Sequence, residues 1–207
     1  MIFTGLEVGP LQTNCYIAGD EASKEAAVID PGGDADRILA VLKKHGLKCT
    51  AIVITHAHFD HVGACAEIKE KTGAPVVTHV LEKDALPMQG RMAMFFGAVM
   101  KDPPPPDRTV EEGDTIKVGS IEMKVIHTPG HSAGGICLAI EAEKTVIVGD
   151  TLFADSIGRT DFPGGSYDDL IGGVREKIFP LGDDWKVYPG HGPATTIGHE
   201  RRHNPFF

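Results

Sequence analysis

The chain has 207 residues, 42% of them hydrophobic and 24% charged, and a formal net charge of −9. Such composition excludes a disordered chain, and the length favours one compact domain over residues 1–207. No apolar run approaches the ~20 residues of a membrane span. The opening Met1-Ile2-Phe3-Thr4-Gly5-Leu6-Glu7 lacks the basic region and cleavage site of a signal peptide, and the acidic balance argues against a nucleic-acid surface.

Short strands are predicted at 6–8, 14–18 and 26–29, the last running into Asp30-Pro31-Gly32-Gly33. From 34 to 45, Ala35, Ile38, Leu39 and Leu42 recur at helical spacing, and Lys43, Lys44 and Gly46 form a stop signal. A buried strand is predicted at 51–54, then a helix at 62–72 and a strand at 76–78. Residues 81–101 carry Met88, Met92, Met94, Phe95, Phe96 and Met100; they are read as helical and as core, the alternative being a lid or acyl-binding wall. Pro103 to Pro106 read as a stiff loop rather than a domain boundary. Strands follow at 115–118, 121–126, 136–140, 145–148 and 185–188, with helices at 167–178 and 195–202. Strands followed by helices, twice over, predict two packed sheets with helices outside.

Cys15, Cys49, Cys65 and Cys137 make no C-x-x-C pair and have apolar or small neighbours, so they are read as buried, reduced thiols in a cytoplasmic protein. The ten histidines are more telling. Thr55-His56-Ala57-His58-Phe59-Asp60-His61 follows a buried strand directly. Residues two apart on an extended segment face the same way, so His56 and His58 can grip one ion, while Asp60 and His61 suit a second. Imidazole and carboxylate are ligands for zinc, iron and manganese. His131, Asp150 and His191 each follow a predicted strand beside small residues, making five histidines and two aspartates, enough for two metals sharing a carboxylate. His45 is read as structural at a helix end, His127 as a possible support for the ligands, and His199 and His203 as surface or packing residues; His79 has no evident partner.

The 55–61 run with His131, Asp150 and His191 resembles the metallo-β-lactamase-fold superfamily over nearly the whole chain. The resemblance implies an αββα sandwich with metals at one edge of the sheets. It implies His56, His58 and His131 around one divalent ion, Asp60, His61 and His191 around the other, and Asp150 bridging. Aspartate at the bridging position is similar to glyoxalase II rather than to the zinc β-lactamases, which usually have cysteine there. Gly149-Asp150-Thr151-Leu152-Phe153, the run from Ser156 to Gly165 and the ending from Pro189 to Phe207 resemble a short bacterial glyoxalase II-like subfamily. Full-length glyoxalase II continues into a helical glutathione-binding domain, which this chain is expected to lack. Arg159 and Asp161 also stand where a lysine and a tyrosine usually serve the glutathione moiety.

The implied activity is hydrolysis of a small thioester such as S-lactoylglutathione by a metal-bridging hydroxide, with Asp60 as ligand and orienter of that hydroxide. Arg159 is either a substrate-carboxylate anchor or a structural salt-bridge residue. A persulfide dioxygenase with a single iron on His56, His131 and Asp150 is the alternative, since the run Gly158-Arg159-Thr160-Asp161 is shared with those enzymes. A phosphodiesterase or nuclease is a lesser one. Phe206-Phe207 either docks on the fold or makes a dimer contact, which leaves monomer and homodimer both open.

Overall fold

The computed structural model describes residues 1–207. Contacts divide the chain into two compact units, Met1–Val110 with Lys117–Ile121, and Glu111–Ile116 with Glu122–Phe207. No helix is long and apolar enough to cross a membrane.

The first unit runs β1 (Ile2–Val8), β2 (Thr13–Gly19), β3 (Glu25–Ile29), α1 (Ala35–His45), β4 (Lys48–Val53), α2 (Phe59–Val62), α3 (Cys65–Thr72), β5 (Val76–His79), α4 (Gln89–Phe95) and β6 (Arg108–Val110). Its sheet has the order β1-β2-β3-β4-β5-β6. The first three strands form an antiparallel meander and the next pairings are parallel. Parallel strands have to be covered, and β3 and β4 are accordingly almost wholly apolar and buried. Ile38 and Leu42 of α1 and Ile68 of α3 join Ile17, Val28, Ile52 and Val76 in the core. Gly46, in the left-handed conformation at φ 65°, ends α1 as the sequence predicts, its N–H returning to Leu42 and Lys43 carbonyls. At the β2–β3 turn, buried Asp20 accepts hydrogen bonds from Ser120 N (2.6 Å) and Ala22 N (2.9 Å).

The second sheet contains β7 (Thr115–Val118), β8 (Ile121–His127), β9 (Ile136–Ile140), β10 (Thr145–Gly149), β13 (Lys186–Pro189) and β14 (Thr195–Thr196), in the order β14-β13-β10-β9-β8-β7. β11 (Leu152–Phe153) and β12 (Ser156–Ile157) form a separate ribbon. Helices α5 (Tyr167–Gly173), continued by a π-helical turn at Val174–Ile178, and α6 (Ile197–His203) supply Leu170, Val174, Ile178 and Ile197 to a core with Val146, Val148 and Val187. Phe207 docks on Phe179, ring centroids 4.9 Å apart.

Several expectations need correction. The 81–101 segment is not one helix. Leu86-Pro87-Met88 is a 3₁₀ turn and Gly97, at φ 73°, stops α4, so a proline and a left-handed glycine confine the helix to seven residues. Nor is most of its Met and Phe stretch core: Leu86 and Ala93 are buried and Met100 packs on the core, but Met94 is 71%, Phe95 84% and Val99 97% exposed. The helix expected at 62–72 starts later, at Cys65, because Ala64 at φ −103° and ψ 3° leaves the helical region and separates it from the short α2. Gly63 lies between them, where a Cβ would stand 2.2 Å from the Gly32 carbonyl oxygen. The closing helix starts at Ile197, because the Thr196 side chain caps it by accepting from His199 N. The short strands β6, β11, β12 and β14 give too few residues for a pattern to show. The prolines lie within the first unit, before its last strand.

Candidate metal centre

In the first unit, His56 lies just past the carboxyl end of β4, beside the carboxyl end of its parallel neighbour β3, where Asp30 sits. Ligand sites in parallel sheets favour that end. Asp30 is buried, with left-handed backbone at φ 50°. Its carboxylate can only accept, and it takes Thr55 N (2.8 Å), Thr55 Oγ1 (2.7 Å) and His61 Nδ1 (3.0 Å). Once the Thr55 hydroxyl proton is given to Asp30, its oxygen receives His56 Nδ1–H at 3.1 Å. Both imidazoles therefore carry their proton on Nδ1 and present Nε2 as the lone-pair nitrogen, the arrangement a metal-binding histidine requires.

His58 stands at the N-cap of α2 in extended backbone, and Asp60 and His61 lie in that helix. Asp60 Oδ2 accepts from buried Thr13 Oγ1 at 3.3 Å and lies 3.7 Å from His61 Nε2. Donor atoms at ~2.0–2.2 Å from a tetrahedral ion are about 3.4 Å apart, so this separation suits two ligands of one ion. The peptide between His56 and His58 is fixed by buried Glu82, whose Oε2 accepts Ala57 N at 3.1 Å. Gly32 lets the Asp30-Pro31-Gly32-Gly33 turn press on α2, since a Cβ there would meet the Asp60 carbonyl oxygen at 1.9 Å.

In the second unit, Asp150 and His191 follow the carboxyl ends of the adjacent parallel strands β10 and β13, tied together by Gly190 N to Gly149 O at 2.7 Å. β8 runs the same way as β10, both being antiparallel to β9, so the loop holding His131 leaves the same end of the sheet. Asp150 Oδ2 lies 3.6 Å from His131 Nε2 and 3.8 Å from His191 Nε2. One carboxylate oxygen thus faces two imidazole nitrogens beyond hydrogen-bond length. His131 Nδ1–H donates to the Arg159 carbonyl at 2.7 Å, which again leaves Nε2 to coordinate.

Arg159 therefore acts in this site through its main chain. Its guanidinium is paired with Asp161, Nε to Oδ1 at 2.9 Å and Nη2 to Oδ2 at 2.8 Å, and lies 4.3 Å over the Phe162 ring. Each partner holds the other charged: the pair raises the Arg159 pKa and lowers that of Asp161. His127 braces the loop that carries His131, its Nε2–H donating to Ala133 O at 2.9 Å. His79 is buried, its Nδ1 accepting from Leu81 N at 3.4 Å, and His45 sits at the last turn of α1. His199 and His203 belong to a separate cluster described below.

All four cysteines are reduced and buried, as expected. Burial pushes Cys49 and Cys137 up to about 11 and Cys65 up to about 12, which keeps them protonated and chemically quiet. Asp30, Thr13 and Glu82 are the site residues not anticipated from sequence. Only Asp30 carried a signal, being a carboxylate at the end of a buried apolar strand.

This fold, with histidine and aspartate groups able to bind metal ions at strand ends, is that of a metallo-hydrolase superfamily. The family model of the metallo-beta-lactamase superfamily matches residues 8–191, and the chain belongs to that superfamily. It is 40% identical over 207 residues to "Hydroxyacylglutathione hydrolase GloC" of Haemophilus influenzae, covering 97% of this chain and 95% of that one. Among solved structures it is similar to BLEG-1 B3 metallo-beta-lactamase, with TM-score 0.92, 39% identity and 99% of both chains covered. It is also similar to TTHA1623 in a di-iron-bound form, with TM-score 0.91, 38% identity, and 99% of this chain and 100% of that one covered.

Proposed function

We propose that this chain is a dinuclear metal-dependent hydrolase of small thioesters, with S-acylglutathione such as S-lactoylglutathione as the substrate class. In this reading His56, His58 and His131 hold one divalent ion, Asp60, His61 and His191 hold the other, and Asp150 serves both. The observation that carries it is the shared Nδ1–H tautomer of His56, His61 and His131, set for His61 and His131 by a carboxylate and a carbonyl that can only accept, and for His56 by the Thr55 hydroxyl whose own proton goes to Asp30. A solvated cluster of histidines has no need of that uniformity; a metal centre does. Zinc suits the nitrogen and oxygen donors best, and iron and manganese are also accommodated. Bound there, two divalent ions supply a nucleophilic hydroxide near neutral pH and polarise the substrate carbonyl.

The chain's own residues favour a thioester over an amide or lactam. A thiol of pKa about 8.5 leaves without a proton donor, whereas an amide nitrogen needs one, and no side chain of either donor set is placed for that duty. Asp60, oriented by Thr13, directs the attacking water. The exposed apolar run of α4 meets the ligand loop where Phe96 stacks on Phe59, ring centroids 5.1 Å apart, and serves as the acyl-binding wall. Arg159 can exchange Asp161 for a substrate carboxylate at little cost, because an exposed ion pair is worth only ~0–1 kcal/mol. The run Gly158-Arg159-Thr160-Asp161 favours, as a second reading, a persulfide dioxygenase with iron on His56, His131 and Asp150.

The test is hydrolysis of S-lactoylglutathione by protein loaded in turn with zinc, manganese and iron. Turnover in the ordinary range of ~1–10³ s⁻¹ supports the assignment. No turnover in any metal form refutes it, and oxygen uptake with glutathione persulfide by the iron form would establish the second reading.

A further inference from the structure

A second donor cluster lies in the second unit, apart from the seven residues above. Asp155, in the β11–β12 turn with left-handed backbone at φ 56°, places Oδ1 2.7 Å from His199 Nε2 on α6. The same nitrogen lies 3.9 Å from Glu200 Oε1, and all three donor atoms fall within 4.8 Å of one another. Glu200 is fully buried. Its hydrogen bonds come from neutral donors: Thr195 Oγ1 at 2.6 Å on Oε1, and Asp155 N at 3.0 Å and Asn204 Nδ2 at 2.8 Å on Oε2. Two carboxylates thus converge on one imidazole nitrogen. Asp155 is exposed and its charge is solvated. The Glu200 charge, however, is shut away from water with only neutral donors on it, a costly arrangement that a cation held among the three side chains would relieve.

We infer that Asp155, His199 and Glu200 form a second binding site, for one transition-metal dication of the zinc class. One imidazole and two carboxylates are hard-to-borderline donors that suit zinc, with water completing the shell. Oε2 of Glu200 already accepts two hydrogen bonds, but Oε1 accepts only that of Thr195 and keeps a lone pair, so coordination through Oε1 leaves the buried network in place. His203 follows His199 by four residues, one turn along the same helix face, with ring centroids 5.0 Å apart, and is the nearest further nitrogen donor. The site clips the β11–β12 turn, in the ribbon that follows Asp150, to α6, which starts at Ile197, six residues after His191. Its role is to brace those two loops from behind. It requires neither the thioester activity nor any particular occupancy of the seven-residue set.

The test compares zinc content after equilibration with excess zinc and desalting, in the full chain and in His199→Ala and Asp155→Asn. Both substituted side chains are at least partly solvent-exposed, so the fold should persist, which the melting temperatures of the chelator-treated proteins check. Ions held elsewhere cancel in the difference. The expected result is one zinc fewer per chain in each variant, with a smaller zinc-induced rise in Tm. Equal zinc content in all three proteins would overturn the proposal, whatever the thioesterase assay shows.

Discussion

Replacing Asp30 by Asn tests how the ligand histidines are set. Asparagine has the same shape and tolerates the left-handed backbone at φ 50°, so the turn itself is not strained. With its amide oxygen towards Thr55 N, its NH₂ falls where Oδ2 now accepts Thr55 Oγ1 and His61 Nδ1. Every hydrogen bond can still form if those two reverse direction. The Thr55 hydroxyl then donates to His56 Nδ1, and His61 Nδ1 becomes an acceptor. Both rings shift their proton to Nε2, the nitrogen that should coordinate. Restoring the binding tautomers requires turning NH₂ against Thr55 N–H, a buried donor facing a donor, at a cost of ~1–3 kcal/mol. That corresponds to roughly 10–100-fold in metal affinity, the usual penalty for losing a group that orients a metal ligand. The assay is competition for zinc against a chromophoric chelator, alongside melts of the metal-free proteins. The metal-free Tm should change little, while zinc affinity falls by the stated factor. Zinc affinity within threefold of wild type would refute the tautomer reasoning.

Further outcomes follow from the packing. Cys49 and Cys137, held at about 11 against an ordinary 9.0, are about a hundredfold less ionised at pH 8 than free thiols, so the native protein should resist alkylation that unfolded protein accepts at all four cysteines. Because folded chains keep those protons while unfolded chains lose them above pH 9, stability should fall between pH 9 and 11 by roughly 3 kcal/mol per thiol; urea melts showing no fall would contradict this. Asp20 is depressed from 3.8 to about 2, first by the Ser120 N–H and then by Ala22 N–H, so its contribution is full above pH 4 and lost as pH drops through 2. The stability gap between wild type and Asp20→Asn should therefore close between pH 4 and pH 2; an unchanged gap would remove the carboxylate from the explanation. Gly158→Ala would put a Cβ 1.8 Å from the Asp150 carbonyl oxygen and should cost ~1–3 kcal/mol or more, whereas Gly172→Ala, in α5 with open space, should gain ~0.5–1 kcal/mol in thermal melts.

What the sequence made legible was whatever chemistry forces on residue type and local order. Metal ligation demands imidazole and carboxylate, strand ends demand small neighbours, and so His56, His58, Asp60, His61, His131, Asp150 and His191 could be picked out as candidates before any fold was known. Buried parallel strands demand unbroken apolar runs, which is why β4 and β10 were found. The residues that orient the ligands obey no such local demand. Thr13 reaches Asp60 across 47 positions, and any hydroxyl in that place would look the same in sequence. Glu82 acts on a peptide N–H 25 positions away. The apolar stretch from Met88 to Val99 misled because side chains grouped on a helix carry the same pattern whether they face a core or open solvent. Arg159 shows the limit most sharply. Its guanidinium, the feature a sequence displays, is taken up by Asp161, while its carbonyl, which every residue possesses, fixes the tautomer of His131. An Arg159→Ala substitution should therefore leave metal affinity intact and alter substrate affinity alone, whereas moving that carbonyl, as Gly158→Ala would, should disturb the metal set itself.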